Sequence, residues 1–264
     1  FKLALVPFHM WTADVYQGAP APVTAFVATV SKSAMVALLV RLFAPMDVPA
    51  TPALFWVLAW IAFASMVGGN ILALRQESVK RILAYSSIAH LGYLLTAFLT
   101  GGRQAITAVM FYIVAYTVSK LGAFGVVAVL SRRDADADRM ADFRGLFFQH
   151  PWAAGVFTAM LLSLAGIPLT AGFIGKFYVI AAAAQARLWW LVITLVLTSA
   201  VGLFYYLRIV VVMFTPPGED EARSLRPAAI ALPGALVLGT LVVMLIWLGS
   251  TPESLLRLIR TIVG

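Results

Sequence analysis

The sequence predicts an all-α polytopic membrane protein, and three observations carry that class. Hydrophobic residues make up 62% of the 264 residues and charged residues only 11%, a balance foreign to soluble domains. Mean hydropathy is +0.95, and the apolar residues fall in runs of about 20, the length that crosses a bilayer as helix. Between the runs lie short segments rich in Gly, Pro, Asp and Arg, which punctuate helices. The net charge of +8 would suit nucleic acid in a soluble chain. Here the arginines stand at run ends and in loops, as membrane topology requires, so nucleic acid is not expected as a partner. The chain has no cysteine, which excludes disulfides, thiolate metal sites and a cysteine nucleophile.

Taken in order, residues 1–10 read as the end of an apolar helix carrying Lys2 and halted near Pro7. The opening FKLALV has neither Met nor a signal-peptide pattern and reads as a fragment of a longer chain. WTADVYQGAPAP (11–22) reads as a loop. Helices are expected at 20–44, with Lys32 near the centre, at 53–74, at 79–100 and at 104–130, the last containing Lys120. A turn occupies 44–52, RQESVKR separates the third and fourth helices, and 131–149 is a long polar linker. Residues 152–184 form one apolar run broken in its middle by Gly166, Pro168 and Gly172. Such residues are poor helix formers, and an irregular backbone at membrane depth is tolerated only inside protein or beside a wet cavity. Lys176 stands just past that break. A helix at 188–213, a second polar linker at 216–227, a helix at 228–249 and an amphipathic tail at 253–263, expected to lie on the membrane surface, complete the chain.

The charges divide by type. Lys2, Lys32, Lys120 and Lys176, four of five lysines, stand inside apolar runs, whereas the fourteen arginines mostly do not. Arginine keeps its charge in proteins, while a desolvated lysine can release a proton near neutral pH, as a relay requires. Ionisable groups inside a membrane are costly and mark function by default. All eleven carboxylates fall in loops or tails. Water, hydroxyls, or an acid from another segment or subunit must therefore stabilise the lysines. Polar residues gather near them: Ser31 and Ser33 flank Lys32, Ser119 precedes Lys120, and Tyr85, Ser86, Ser87 and His90 form a patch in which Ser86 and His90 share a helix face.

Plainer readings compete. A lysine near a helix end commonly snorkels to the interface, which fits Lys2 as well as a relay does. Lys32 is roughly 12 residues, or about 18 Å, from either helix end, too far to snorkel comfortably. His90 alone reads first as a helix–helix hydrogen-bonding group. His150 reads as structural, Trp189–Trp190 as an interfacial belt, and Tyr205–Tyr206 as packing. The DADAD run lacks the glycine and distal glutamate of a calcium loop, so no metal site is expected.

FKLALVPFHMWTADVYQGAPAPVTAFVATVSK, RILAYSSIAHLGY and SLAGIPLTAGFIGKFYV resemble the proton-conducting, antiporter-like membrane subunits of respiratory complex I, over essentially all 264 residues. The resemblance implies about eight transmembrane helices or part-helices of a fourteen-helix antiporter-like fold with inverted repeats and broken helices. Residues 1–44 would end the first repeat, 45–214 would form the second, and 215–264 would supply a C-terminal transmembrane helix and tail. It implies that Lys2 belongs to the first broken helix and pairs with a glutamate on an earlier one. Lys32 would be the central connecting lysine and Lys176 the terminal relay group of the second broken helix. His90 matches a polar residue of a central water axis. Lys120 is a further relay candidate, with Tyr116 standing where related subunits carry a histidine. No flavin, iron–sulfur cluster or nicotinamide is expected in this chain. Expected partners are other membrane subunits, lipid, protons and channel water. Protons would be translocated, coupled to quinone reduction by NADH elsewhere in the complex. A cation/proton antiporter subunit and a structural scaffold remain open alternatives. Nine Lys and Arg residues flank one set of loops and five the other. In a bacterial inner membrane that puts the 131–149 linker in the cytoplasm and the C-terminus in the periplasm.

Overall fold

The computed structural model describes residues 1–43, 48–131, 136–216 and 230–263. Among them, every regular element is helical. We number the main helices α1 Met10–Gly18, α2 Ala21–Phe43, α3 Pro52–Leu74, α4 Val79–Phe98, α5 Gly102–Leu130, α6 Pro151–Ala165, α7 Ala171–Gln185, α8 Trp189–Phe214, α9 Leu232–Ser250 and α10 Glu253–Val263. Proline lies in the first turn of α2, α3, α6 and α9, where its missing N–H has no intrahelical partner to lose. Helices α2, α3, α5, α8 and α9 are long and apolar enough to cross a membrane, and α6 and α7 are shorter apolar pieces.

Helix α5 is the hub, touching α2, α4, α6, α7, α9 and α10. Helix α4 is buried without interruption from Ile82 to Ala97. That explains its composition: a helix surrounded by protein can carry Ser86, Ser87, His90 and Thr96, which a lipid-facing helix could not. Its backbone lies close to α3, since a Cβ on Gly92 would meet the Ala62 carbonyl oxygen at 2.8 Å, the small-residue contact that lets membrane helices approach. The outer surface is apolar, with Trp60 on α3, Phe204 and Val211 on α8, and Val243 on α9 exposed.

Two expectations are corrected at the start of the chain. Residues 1–9 do not end a helix but form successive turns, closed by Ala4 N–H to Phe1 O and Phe8 N–H to Leu5 O. Pro7 has no donor and disfavours helix at the residue before it. Lys2 is consequently exposed in irregular backbone. The 11–22 stretch is not a loop either, because α1 fills most of it. Its Gly and Pro residues all stand at or beyond the end: Gly18 is the last helical residue, Pro20 caps α2 and Pro22 lies in the first turn of α2. The tail helix α10 is formed as expected, and it buries Leu256 and Ile259 against the bundle while Leu258 and Ile262 face outward.

The 131–149 linker is partly ordered into a 3₁₀ turn at Met140–Phe143 and a helical turn at Leu146–Gln149. It docks beneath the start of α4, with Val79 N–H to Asp138 O at 2.6 Å and Met140 N–H to Glu77 O at 3.1 Å. Linker residues 132–135, part of the 44–52 turn and nearly all of the 216–227 linker lie outside the described residues.

Candidate functional site

The break between α6 and α7 is built by Gly166, which ends α6 at φ +87°, the left-handed conformation common at helix C-termini. Gly166 N–H and Ile167 N–H both return to the Leu162 carbonyl at 3.0 Å. Thr170 starts α7, its hydroxyl accepting from Phe173 N–H. Gly166 also makes room, since a Cβ there would come 2.8 Å from Lys176 Cδ. The last carbonyls of α6, Leu164 and Ala165, have no intrahelical donor. Lys176 Nζ supplies it, donating to Leu164 O at 3.0 Å, Ala165 O at 2.7 Å and Ser199 Oγ at 2.6 Å. All three ammonium donors are used, and the cation sits at the negative end of the α6 dipole.

Lys32, Lys120 and Lys176 are buried, at 1%, 0% and 6% exposure. Lys120 Nζ donates to Leu83 O at 2.6 Å and Ser86 Oγ at 2.7 Å on α4. Lys32 differs, as its Nζ is buried without a hydrogen-bond partner and lies 5.5 Å from the Tyr16 ring centroid. It follows a π-helical turn at Val27–Ser31 that the sequence did not signal. Such turns disturb the regular carbonyl ladder and recur at functional sites. Here Tyr116 Oη donates to Ser87 Oγ at 2.8 Å and lies within reach of Ala28 O, inside that turn, at 3.2 Å. Ser33 Oγ meets Thr117 Oγ1 at 2.9 Å. Among the described residues no carboxylate pairs with these three lysines; the ion pairs of the chain include Lys80–Asp136, Arg81–Asp14 and two on Glu253.

His90 stands between two hydroxyls, with Nδ1 2.7 Å from Tyr112 Oη and Nε2 3.2 Å from Tyr206 Oη. His90 thus bridges α4 to α5 and to α8. His90 and Lys176 line one cavity of about 10 Å³, together with Tyr112, Tyr116, Ser119 and Ser163, room for about one water. Ser119 Oγ meets Ser163 Oγ at 2.8 Å, and Ser163 Oγ accepts from Gly172 N–H, which ties α5 to both sides of the break. Tyr205 and Tyr206 are more than packing. Besides the Tyr206 contact, Tyr205 Oη donates to Asn70 Oδ1 at 3.0 Å and Asn70 Nδ2 donates to Tyr93 Oη at 3.1 Å. Burying a hydroxyl demands such partners, which aromatic spacing in a sequence does not reveal.

The structure thus gathers Lys120, His90 and Lys176 around α4, α5 and the break, sets Lys32 at the α2 end of the same interior through Tyr116, and leaves Lys2 outside. Lys80, read as a loop residue, is instead buried in the first turn of α4 and paired with Asp136.

The sequence and fold agree with known proteins. A family described as NADH:quinone oxidoreductase/Mrp antiporter, TM, matches residues 1–202. NADH-quinone oxidoreductase subunit N of Methylococcus capsulatus is 54% identical over 233 residues, covering 87% of this chain and 47% of that protein. Subunit N of Nitrosospira multiformis is 53% identical over 275 residues, covering 98% and 54%. A chain of respiratory complex I from Thermus thermophilus, solved with bound aureothin, superposes with a TM-score of 0.82 at 38% identity over 97% of this chain and 55% of its own. The chain spans about half the length of the curated relatives it matches. With the family match running through the α4–α7 interior that holds Lys120, His90 and Lys176, the chain belongs to the NADH:quinone oxidoreductase/Mrp antiporter transmembrane family.

Proposed function

We propose that this chain conducts protons as part of a membrane subunit of NADH–quinone oxidoreductase, with quinone reduced and NADH oxidised in other subunits. One observation carries the reading: three lysines are buried in an interior of hydroxyls and one imidazole, with no carboxylate paired to them among the described residues. An ammonium held only by neutral acceptors can lose its proton without leaving a counter-charge stranded. Lys32 receives a proton, Lys120 and His90 pass it, and Lys176 holds it against the α6 carbonyls before release. His90 can take a proton on one ring nitrogen and give one from the other. Coupling is electrostatic: a charge arriving at one site raises the energy of a charge at the next. Lys2 joins only through a partner outside the described segments.

The same reading puts residues 1–44 at the end of one repeat and 45–214 in a second, in a bacterial inner membrane. The linker side faces the cytoplasm and the C-terminus the periplasm. The ends of α3 and α8, the start of α4 and the linker meet on one side of the bundle, with Gly145 N–H on Val212 O, so their Arg residues act together in the orientation rule. A cation/proton antiporter subunit is the second reading, since the family description covers both. Co-purification with flavin and iron–sulfur subunits distinguishes them.

The test uses the complete complex in proteoliposomes, wild type beside Lys176→Ala, following electron transfer and proton uptake. An assembled complex that no longer pumps supports the relay. Normal pumping with normal electron transfer would overturn it in favour of a scaffold.

A further inference from the structure

Lys80 opens α4, the helix end where the dipole is positive and an ammonium is disfavoured. It is also buried, at 1% exposure. Local helix stability does not explain a lysine there, so the explanation lies in what its head touches. Nζ lies 2.6 Å from Asp136 Oδ2 and donates to Gln17 O at 3.0 Å and Ala19 O at 2.8 Å. Gln17 and Ala19 belong to the C-terminal end of α1 and the joint that follows it. The ammonium thus occupies the negative end of α1, and its three donors are all used. The backbone N–H of Ala21, the first residue and positive end of α2, lies toward the Asp136 carboxylate and, after Lys80, helps to hold it below its ordinary value. One ion pair is wedged into the break between two helices, each charge facing the helix end of opposite sign.

The joint it holds is the one that sets Tyr16 against Lys32. Tyr16 precedes Gln17, and its ring centroid lies 5.5 Å from Lys32 Nζ. The single Thr24 hydroxyl proton is shared between Tyr16 O at 3.1 Å and Ala19 O at 3.2 Å. Around the pair, Gln17 Nε2 donates to Asp138 Oδ2 at 2.8 Å and Arg81 Nη1 to Asp14 Oδ1 at 2.8 Å, exposed contacts of small worth. Lys176 uses the same device, since its ammonium also caps the last carbonyls of a short helix at a break.

We propose that Lys80 and Asp136 are positioning residues for proton transfer, a dipole-matched clamp that fixes the α1–α2 joint and with it the placing of Lys32 against Tyr16. The inference rests on the proton-relay reading, and the experiment separates the two. The complete complex carrying Lys80→Met, Asp136→Asn, the exchanged pair Lys80→Asp with Asp136→Lys, or Lys32→Met is reconstituted in liposomes. Assembly, electron transfer and proton uptake per electron are measured across pH. With Lys80→Met, uptake per electron falls on the order of tenfold in an assembled complex and its pH profile moves, as for a residue that sets geometry between sites. The exchanged pair does not restore uptake, because each charge then faces the helix end of its own sign. Asp136→Asn keeps the ammonium on the α1 carbonyls and gives a smaller loss in the same sense. It decides the matter if Lys80→Met fails to assemble. Unchanged uptake in Asp136→Asn and Lys80→Met while Lys32→Met abolishes it would overturn the clamp. Full restoration by the exchanged pair would overturn the dipole match. Normal uptake in Lys32→Met would instead sink the relay reading itself.

Discussion

Lys176 and Lys32 are both buried lysines that follow an interruption of a helix, yet their surroundings are opposite. The Lys176 ammonium uses all three donors on Leu164 O, Ala165 O and Ser199 Oγ. Lys32 Nζ has no hydrogen-bond partner and lies 5.5 Å from the centroid of the Tyr16 ring. The first arrangement stabilises a cation where it stands. The second leaves a desolvated group whose charged form is costly, one suited to changing state rather than keeping it. Buried lysines in one chain therefore need not do the same job, and the hydrogen-bond inventory tells them apart.

Removing each head group breaks or sharpens that comparison. The largest effect is expected for Lys176→Met, which removes three bonds and leaves Leu164 O without its donor, while Ser199 Oγ still reaches Ala165 O at 3.4 Å; at about 1–3 kcal/mol for a buried group left unpaired, the loss should be about 2 kcal/mol in unfolding of the detergent-solubilised complex. Lys32→Met strands nothing and removes an unpartnered polar group, so its stability should stay within about 1 kcal/mol of wild type or rise. Equal losses in the two variants would mean that Lys32 is held as firmly as Lys176. Next comes His90. Tyr112→Phe removes the 2.7 Å contact and should cost about 1 kcal/mol, and Tyr206→Phe, which removes the 3.2 Å contact, should cost less.

A pH titration probes the linker side of the bundle instead of its interior. Burial pushes the Asp136 carboxyl up, but the hydrogen bond and charge of Lys80 outweigh it, and the group is held below its ordinary 3.8. A carboxylate with a lowered value in the folded state contributes stability above its unfolded value and loses it as pH falls through the folded one. The unfolding midpoint should therefore be insensitive to this pair above about pH 5 and fall below about pH 4, a fall that Asp136→Asn reduces. The smallest effect is expected at the tail: Arg257→Ala breaks an exposed 3.4 Å pair with Glu253 and should change stability by less than about 0.5 kcal/mol.

The broken run around Gly166 was legible in the sequence because proline and glycine at membrane depth admit few explanations, and the fold class was legible from hydropathy alone. Lys32, Lys120 and Lys176 were legible as buried because each stands mid-run. The error at 11–22 arose from reading Gly18, Pro20 and Pro22 as loop formers throughout, when their positions place them at the two ends of a helix joint. Lys80 was missed because its sequence neighbours are polar; its burial comes from α1 and the linker, 56 to 63 residues away. The π turn at Val27–Ser31 leaves no mark in composition, and its carbonyl partner Tyr116 lies 88 residues off. Periodicity reads what a helix does to itself, whereas these contacts belong to the tertiary packing.

The most direct measurement is proton uptake per electron in liposomes holding the complete complex with Lys32→Met, scored beside its unfolding midpoint. The relay account predicts an assembled, fully stable complex that transfers electrons and takes up no protons through this path. A complex that is equally stable and pumps normally would contradict it.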